Sequence, residues 1–235
     1  MDLSLGGTRR PILWMPPVSK QGIYPSRMRR VLNVVAAAML LLFFLPLMLV
    51  IALLVKLTST GPIFYSQTRV GIDRRRSCPP VQDGRRRIDY GGKLFTMYKF
   101  RTMYTDADCA GEVWAQPDDP RVTPVGRVLR RYRLDELPQL VNVLLGDMNI
   151  VGPRPEQPKI FADLREQIER YPVRQRVLPG ITGWAQINHH YDCSLDDVKR
   201  KLNYDLEYVE RHCAREDLRI MFRTVPVIVF KQGGW

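Results

Sequence analysis

Apolar residues are spread unevenly along this chain, with one unbroken hydrophobic block near the start and periodic patterns after it. From Val34 to Val55 no charged residue occurs, and a proline, Pro46, stands at the middle. A helix rising about 1.5 Å per residue would carry that run across roughly 33 Å, enough for a hydrocarbon core of about 30 Å. Two arrangements fit. In one, the run spans as a single helix kinked at Pro46. In the other, Pro46 breaks it into two arms that return to the side they entered from, because proline removes a backbone donor and crowds the carbonyl four residues back. Arg27, Arg29 and Arg30 precede the run, and Lys56, Arg69, Arg74, Arg75 and Arg76 follow it. Cytoplasmic flanks are rich in Lys and Arg, and with both flanks basic the re-entrant hairpin is favoured.

The remaining patterns divide the chain into a tail, residues 1–26, the membrane element, 27–57, and one domain, 58–235, long enough for its own core. The tail holds Pro11, Pro16, Pro17 and Pro25 and shows no period. Strands are predicted over Ile63–Val70 and Lys93–Met103, joined by a polar loop bearing Arg74–Arg76 and Arg85–Arg87. Helical spacing of apolar residues marks Leu134–Leu145, Gln157–Tyr171 and Leu195–Arg211. The last stretch, Leu218–Phe230, is apolar around Pro226 and suits a membrane interface. Between these, Pro179–Trp184 reads as a turn and Ala185–Asn188 as a short apolar segment.

Three places in this layout carry chemistry. Period-two alternation puts Lys99 and Arg101 on one strand face, a pair of cations that a bound phosphate or a solvent-facing edge would explain. The helix over Leu134–Leu145 opens on Asp135-Glu136 with Pro138 in its first turn, an ordinary way to begin a helix. The same geometry keeps carboxylates ionised and offers free N–H groups to a phosphate, and Arg130, Arg131 and Arg133 crowd the approach. Arg154 lies between Pro153 and Pro155, which hold it extended as a stiff phosphate contact.

Charge narrows the partners. The net charge is +12 with an isoelectric point near 9.8, which implies anionic partners: lipid head groups, phosphorylated substrates or nucleic acid. No basic helix interleaved with aromatic residues is present, so nucleic acid is disfavoured. The cysteines Cys78, Cys109, Cys193 and Cys213 form no CxxC pair and lack histidine at ligand spacing, which argues against zinc. The histidines, His189, His190 and His212, suggest no triad. The sequence sets no oligomeric state, and a homodimer is compatible with it.

Taken together, the motifs resemble those of the monotopic phosphoglycosyl transferases, also called the bacterial sugar transferase family. The resemblance rests on the proline-split apolar run, Gly61-Pro62-Ile63-Phe64 with Arg69-Val70-Gly71, and Met97–Met103. It continues through Leu134-Asp135-Glu136-Leu137-Pro138-Gln139-Leu140, Gly146-Asp147-Met148, Val151-Gly152-Pro153-Arg154-Pro155 and Pro179–Gln186. It implies a mainly helical α+β fold: a re-entrant membrane helix hairpin, amphipathic interface helices and a small sheet or β-hairpin. It also implies transfer of a sugar-1-phosphate from a nucleoside diphosphate sugar, usually a UDP-sugar, to polyprenol phosphate at the cytoplasmic face of the bacterial inner membrane, starting cell-surface polysaccharide synthesis. By resemblance Asp135 is the nucleophile, Glu136 holds Mg²⁺, Lys99, Arg130 and Arg154 surround the diphosphate, and Asp205 is a further acidic position. Two departures stand out. Leu45 precedes Pro46 where the family often has Ser, and Arg133 stands two residues before Asp135 where Ser is also frequent.

Overall fold

The computed structural model describes residues 27–74, 91–105, 119–188 and 194–230. The N-terminal tail, the Arg-rich loop beyond Arg74, three cysteines (78, 109, 193) and two histidines (189, 190) lie outside the described residues.

The apolar run forms one helix, α1 (Arg27–Thr58), which continues through Pro46. Its most apolar window has a mean hydropathy of 3.0, and only 11% of that window is buried by protein. By length and composition α1 is apolar enough to cross a bilayer, which suggests membrane association. Met39, Leu42, Phe43, Leu49 and Val50 face outward from its middle. Its two ends behave differently. Arg29, Asn33 and Ala37 are buried near the start, and Ile51 and Val55 near the end. Ala37 packs on the main core, while Ile51 and Val55 join Phe100 and Leu129 in a second cluster; Leu137 touches both clusters. Both ends of α1 therefore rest on one body.

That body is built from short elements. Strands β1 (Phe64–Val70) and β2 (Leu94–Phe100) pair antiparallel, with Phe64 opposite Phe100 and Val70 opposite Leu94. Helix α2 (Pro124–Arg131) begins where the Thr123 hydroxyl accepts the Gly126 N–H at 2.9 Å. The predicted helix over Leu134–Leu145 divides in two. Leu134–Glu136 is a single 3₁₀ turn, and α3 (Gln139–Leu145) starts only after Pro138. Pro138 has no N–H to continue the ladder, and Arg133 before the turn is left-handed at φ 53°. The two residues thus isolate one tight turn from the helix that follows.

Strand β3 (Asn149–Val151) pairs in parallel with β4 (Gly180–Thr182), a pairing that the turn residues around Pro179 did not announce. Here backbone meets backbone: a Cβ on Gly180 would lie 2.0 Å from the Gly152 N, and one on Gly152 would lie 2.3 Å from Leu178 O. Only glycine fits such an approach. Helices α4 (Pro158–Gln167), α5 (Trp184–Asn188), α6 (Leu195–Arg211) and α7 (Ala214–Val229) complete the fold. The amphipathic stretch ending at Tyr171 closes earlier than its pattern suggests, and a 3₁₀ segment, Tyr171–Arg176, follows it. The core gathers Met97, Leu140, Val143, Met148, Phe161, Leu202, Val209 and Ile220. The last helix leaves Leu218, Phe222 and Val225 exposed. The result is mainly helical with small sheets, as the fold class anticipates.

Candidate active site

Asp135 and Glu136 sit on the isolated 3₁₀ turn, and both are buried. The turn starts from strain. Among the described residues Arg133 is the one non-glycine at positive φ, a conformation that costs on the order of 1–3 kcal/mol and concentrates at functional sites. Asn142 then fixes the turn against the sheet. Its Nδ2 donates to Thr96 O at 2.7 Å, and its Oδ1 accepts the Tyr98 N–H at 3.1 Å. With α3 held on β2 in this way, Lys99 projects onto the acidic turn. Its ammonium lies 2.9 Å from Glu136 Oε1 and 3.8 Å from Asp135 Oδ2.

Arg154 approaches from the other side. Extended between its two prolines, it places one guanidinium N–H 2.7 Å from Glu136 Oε1. Its side chain keeps 34% exposure while that of Glu136 keeps 7%, so Arg154 is the face open to an incoming anion. Arg130 lies within electrostatic range of Asp135 and donates from Nε to Thr102 Oγ1 at 2.9 Å. The two carboxylates respond oppositely. Burial pushes Asp135 up, the charge of Glu136 adds to it, and Lys99 and Arg154 only partly offset this. Burial would also raise Glu136, but Arg154 and Lys99 outweigh it and hold Glu136 well below the usual carboxylate range. Glu136 is the fixed charge of the pair.

The other two predicted site residues lie elsewhere. Arg101 falls just beyond β2, and its guanidinium donates to Ser59 O at 2.8 Å and Ser59 Oγ at 2.6 Å. It ties the C-terminal end of α1 to the strand that bears Lys99 and does not meet Asp135 or Glu136. Asp205, on α6, accepts from Arg174 at 2.7 Å and 2.9 Å. Arg174 in turn donates to Arg154 O at 2.9 Å and Glu156 Oε1 at 3.2 Å, and Lys201 reaches the same Glu156 oxygen at 3.2 Å. Asp205 is linked to Arg154 through Arg174, and among the described residues it makes no hydrogen bond or ion pair with Asp135 or Glu136. Sequence reasoning passed over Arg174, Glu156, Lys201 and Asn142. The prolines around Arg154 were the one local signal that a stiff segment needed support from behind.

The donor set suits a hard divalent cation. Mg²⁺ commonly takes one or two carboxylates and completes its shell with water and substrate phosphates. The Lys99 ammonium lies 2.9 Å from Glu136 and 3.8 Å from Asp135, so the two carboxylates flank one cationic neighbour. Among the described residues no cluster of three or more Asp, Glu, His or Cys forms a complete cage, so substrate phosphates would supply the remaining ligands.

The family described as bacterial sugar transferase matches residues 24–231. This chain belongs to that family. Its similarity to individual sugar transferases is consistent over the same span. It is 39% identical over 206 residues to the UDP-N-acetylgalactosamine-undecaprenyl-phosphate N-acetylgalactosaminephosphotransferase of Aeromonas hydrophila, covering 88% of this chain and 44% of that protein. It is 38% identical over 209 residues to the UDP-glucose:undecaprenyl-phosphate glucose-1-phosphate transferase of Caulobacter vibrioides, covering 88% and 72%. It is 35% identical over 222 residues to the exopolysaccharide production protein ExoY of Rhizobium meliloti, covering 88% of each. The chain spans less than half the length of several curated relatives it matches, 44%, 37% and 39% of three of them. In this bacterial sugar transferase, the buried Asp135–Glu136 turn lies between Lys99 and Arg154.

Proposed function

We propose that the protein transfers a sugar-1-phosphate from a UDP-sugar to undecaprenyl phosphate, through a covalent aspartyl-phosphosugar intermediate. One arrangement carries the reading: a buried carboxylate pair with two cations on the more acidic member, in a chain of this family and beside a membrane helix. An Asp135 oxygen attacks the phosphorus attached to the sugar, forming an acyl phosphate while the bond to the bridging oxygen breaks and uridine monophosphate leaves. An oxygen of undecaprenyl phosphate then attacks the same phosphorus, which frees the Asp135 carboxylate and yields the lipid diphosphate sugar. Lys99, Arg154 and Arg130 draw the donor phosphates toward the turn, and the strained Arg133 backbone holds the turn ready. Glu136, with Asp135 beside it, would hold Mg²⁺, which neutralises phosphate charge when bound.

In the same reading α1 enters and leaves at the cytoplasmic face of the inner membrane, turning at Pro46 without a break between two helices; that both its ends rest on one body supports this. The apolar stripe of α7 and the basic side chains near it then lie against anionic lipids. The product would begin a cell-surface polysaccharide.

The test uses the full chain with Mg²⁺ and a panel of UDP-sugars, without lipid acceptor. One equivalent of uridine monophosphate and a protein mass increased by one phosphosugar are expected, and neither with Asp135→Asn. Turnover by that variant, or an unchanged protein mass during release of the nucleotide, would end the covalent reading.

A further inference from the structure

Asn33 is an unusual residue for the first turns of an apolar membrane helix. It is 7% exposed, and both ends of its amide are engaged. Oδ1 accepts the Ile150 N–H at 2.8 Å, and Nδ2 donates to Arg29 O at 2.9 Å. Ile150 is the middle residue of β3. Its neighbours Asn149 and Val151 pair with β4, and alternation along a strand turns the Ile150 N–H to the opposite edge. There, in place of a further strand among the described residues, the membrane helix supplies the acceptor.

The same strand leads directly into the site. Four residues beyond Ile150, Arg154 grips Glu136 at 2.7 Å. The intervening chain has no slack, because Gly180 N donates to Pro153 O at 3.0 Å and Gly152 packs directly on the β4 backbone. Close to Asn33, Arg29 pairs with Asp217 at 2.6 Å and also donates to the Tyr208 hydroxyl, which sits 3.0 Å from Val151 O. Backbone bonds and close packing thus run unbroken from Ile150 to the base of Arg154.

We propose that Asn33 is a positioning residue for the transfer reaction: an amide on the membrane helix sets where β3, and Arg154 after it, meets the Asp135–Glu136 turn. This rests on the transferase reading above. An apolar residue at position 33 would suit the helix better, yet it would leave a buried N–H without an acceptor in the strand that aims Arg154. Membrane anchoring and site geometry are joined at this side chain.

The experiment compares the full-length wild type in lipid nanodiscs with Asn33→Leu, Asn33→Asp, Arg154→Lys and the Asn33→Leu/Arg154→Lys double variant. Uridine monophosphate release is followed with Mg²⁺, undecaprenyl phosphate and saturating UDP-sugar. Asn33→Leu is expected to lower kcat by about tenfold or more, since a small misplacement of a site cation is felt at that scale. Asn33→Asp, which keeps an acceptor for Ile150, should stay within about threefold of wild type, and the lipid-facing control Leu42→Ala should match wild type. In the Arg154→Lys background, Asn33→Leu should add less than about twofold, because both changes act on one contact. Losses that multiply, equal losses from Leu and Asp, or an Asn33→Leu variant within twofold of wild type each overturn the proposal. If Asn33→Leu does not fold, Asn33→Ser takes its place in the same cycle with the same criteria. A wild type that releases no nucleotide from any donor overturns the transferase reading instead, before the variants are compared.

Discussion

Replacing Glu156 with glutamine removes one negative charge from the cluster behind Arg154 and leaves its shape nearly intact. In the folded protein Glu156 accepts from Lys201 and Arg174, each at 3.2 Å, and Arg69 adds a third positive charge nearby. Burial opposes ionisation, but these cations outweigh it and hold the carboxyl down from 4.5 to about 2. A fall of that size corresponds to about 3 kcal/mol of stability at neutral pH, at about 1.4 kcal/mol per pH unit. The sign follows from the depressed folded value. The contribution is complete well above 4.5 and is lost as pH falls from there toward about 2. The glutamine variant should therefore unfold about 6–12 °C below wild type at pH 7, taking roughly 2–4 °C per kcal/mol for a chain of this length. At pH 3 the difference should shrink to about 1 kcal/mol. Thermal unfolding in micelles, followed by near-ultraviolet circular dichroism from pH 7 to pH 3, reads both quantities. A gap that stays constant with pH, or a variant as stable as wild type at pH 7, would refute the assigned charge cluster.

Other outcomes follow from the same geometry. Asp205→Asn leaves Arg174 with Glu156 as its remaining carboxylate, and should cost about 3 kcal/mol of stability together with a loss of kcat; calorimetry and nucleotide release check the two parts separately. Lys99→Met should weaken donor use by at least about a hundredfold, and it should lower the acidity of Glu136, visible as an upward shift in its titration. If Asp135 attacks as proposed it must be ionised, so transfer should fall as pH drops through its raised value, and a rate that rises toward acid would contradict that role. A cysteine placed at Arg27 and the exposed Cys213 should react with an impermeant reagent from one side of the membrane; opposite sides would exclude the hairpin.

How far these features could be read from the sequence depends on how local their causes are. The membrane helix was plain because an uncharged run needs no partner to declare its solvent. Strands β1 and β2 were marked out by the glycines that bound them, Gly61 and Gly71 around the first and Gly91-Gly92 before the second, and the stiffness at Arg154 followed from the two prolines that flank it. The acidic turn was found but its shape was not, since Pro138 was read as an opening residue and the left-handed Arg133 has no signature in an arginine side chain. Arg101 shared a strand face with Lys99 on paper, yet the strand ends at Phe100 and the side chain swings to Ser59. The supports were invisible for a different reason. Asn33 and Ile150 are 117 positions apart, and Lys201 and Glu156 are 45 apart, so no window along the chain contains both members of either pair.

Where Gly152 meets Gly180, peptide planes touch with no gap that a methyl group could enter. Mutation has almost nothing to work with at this junction, and a library randomised there would consist mainly of misfolded clones. Engineering of this protein should leave both positions alone and spend its diversity on exposed loops, so that every clone inherits the Arg154 hold on Glu136 undisturbed.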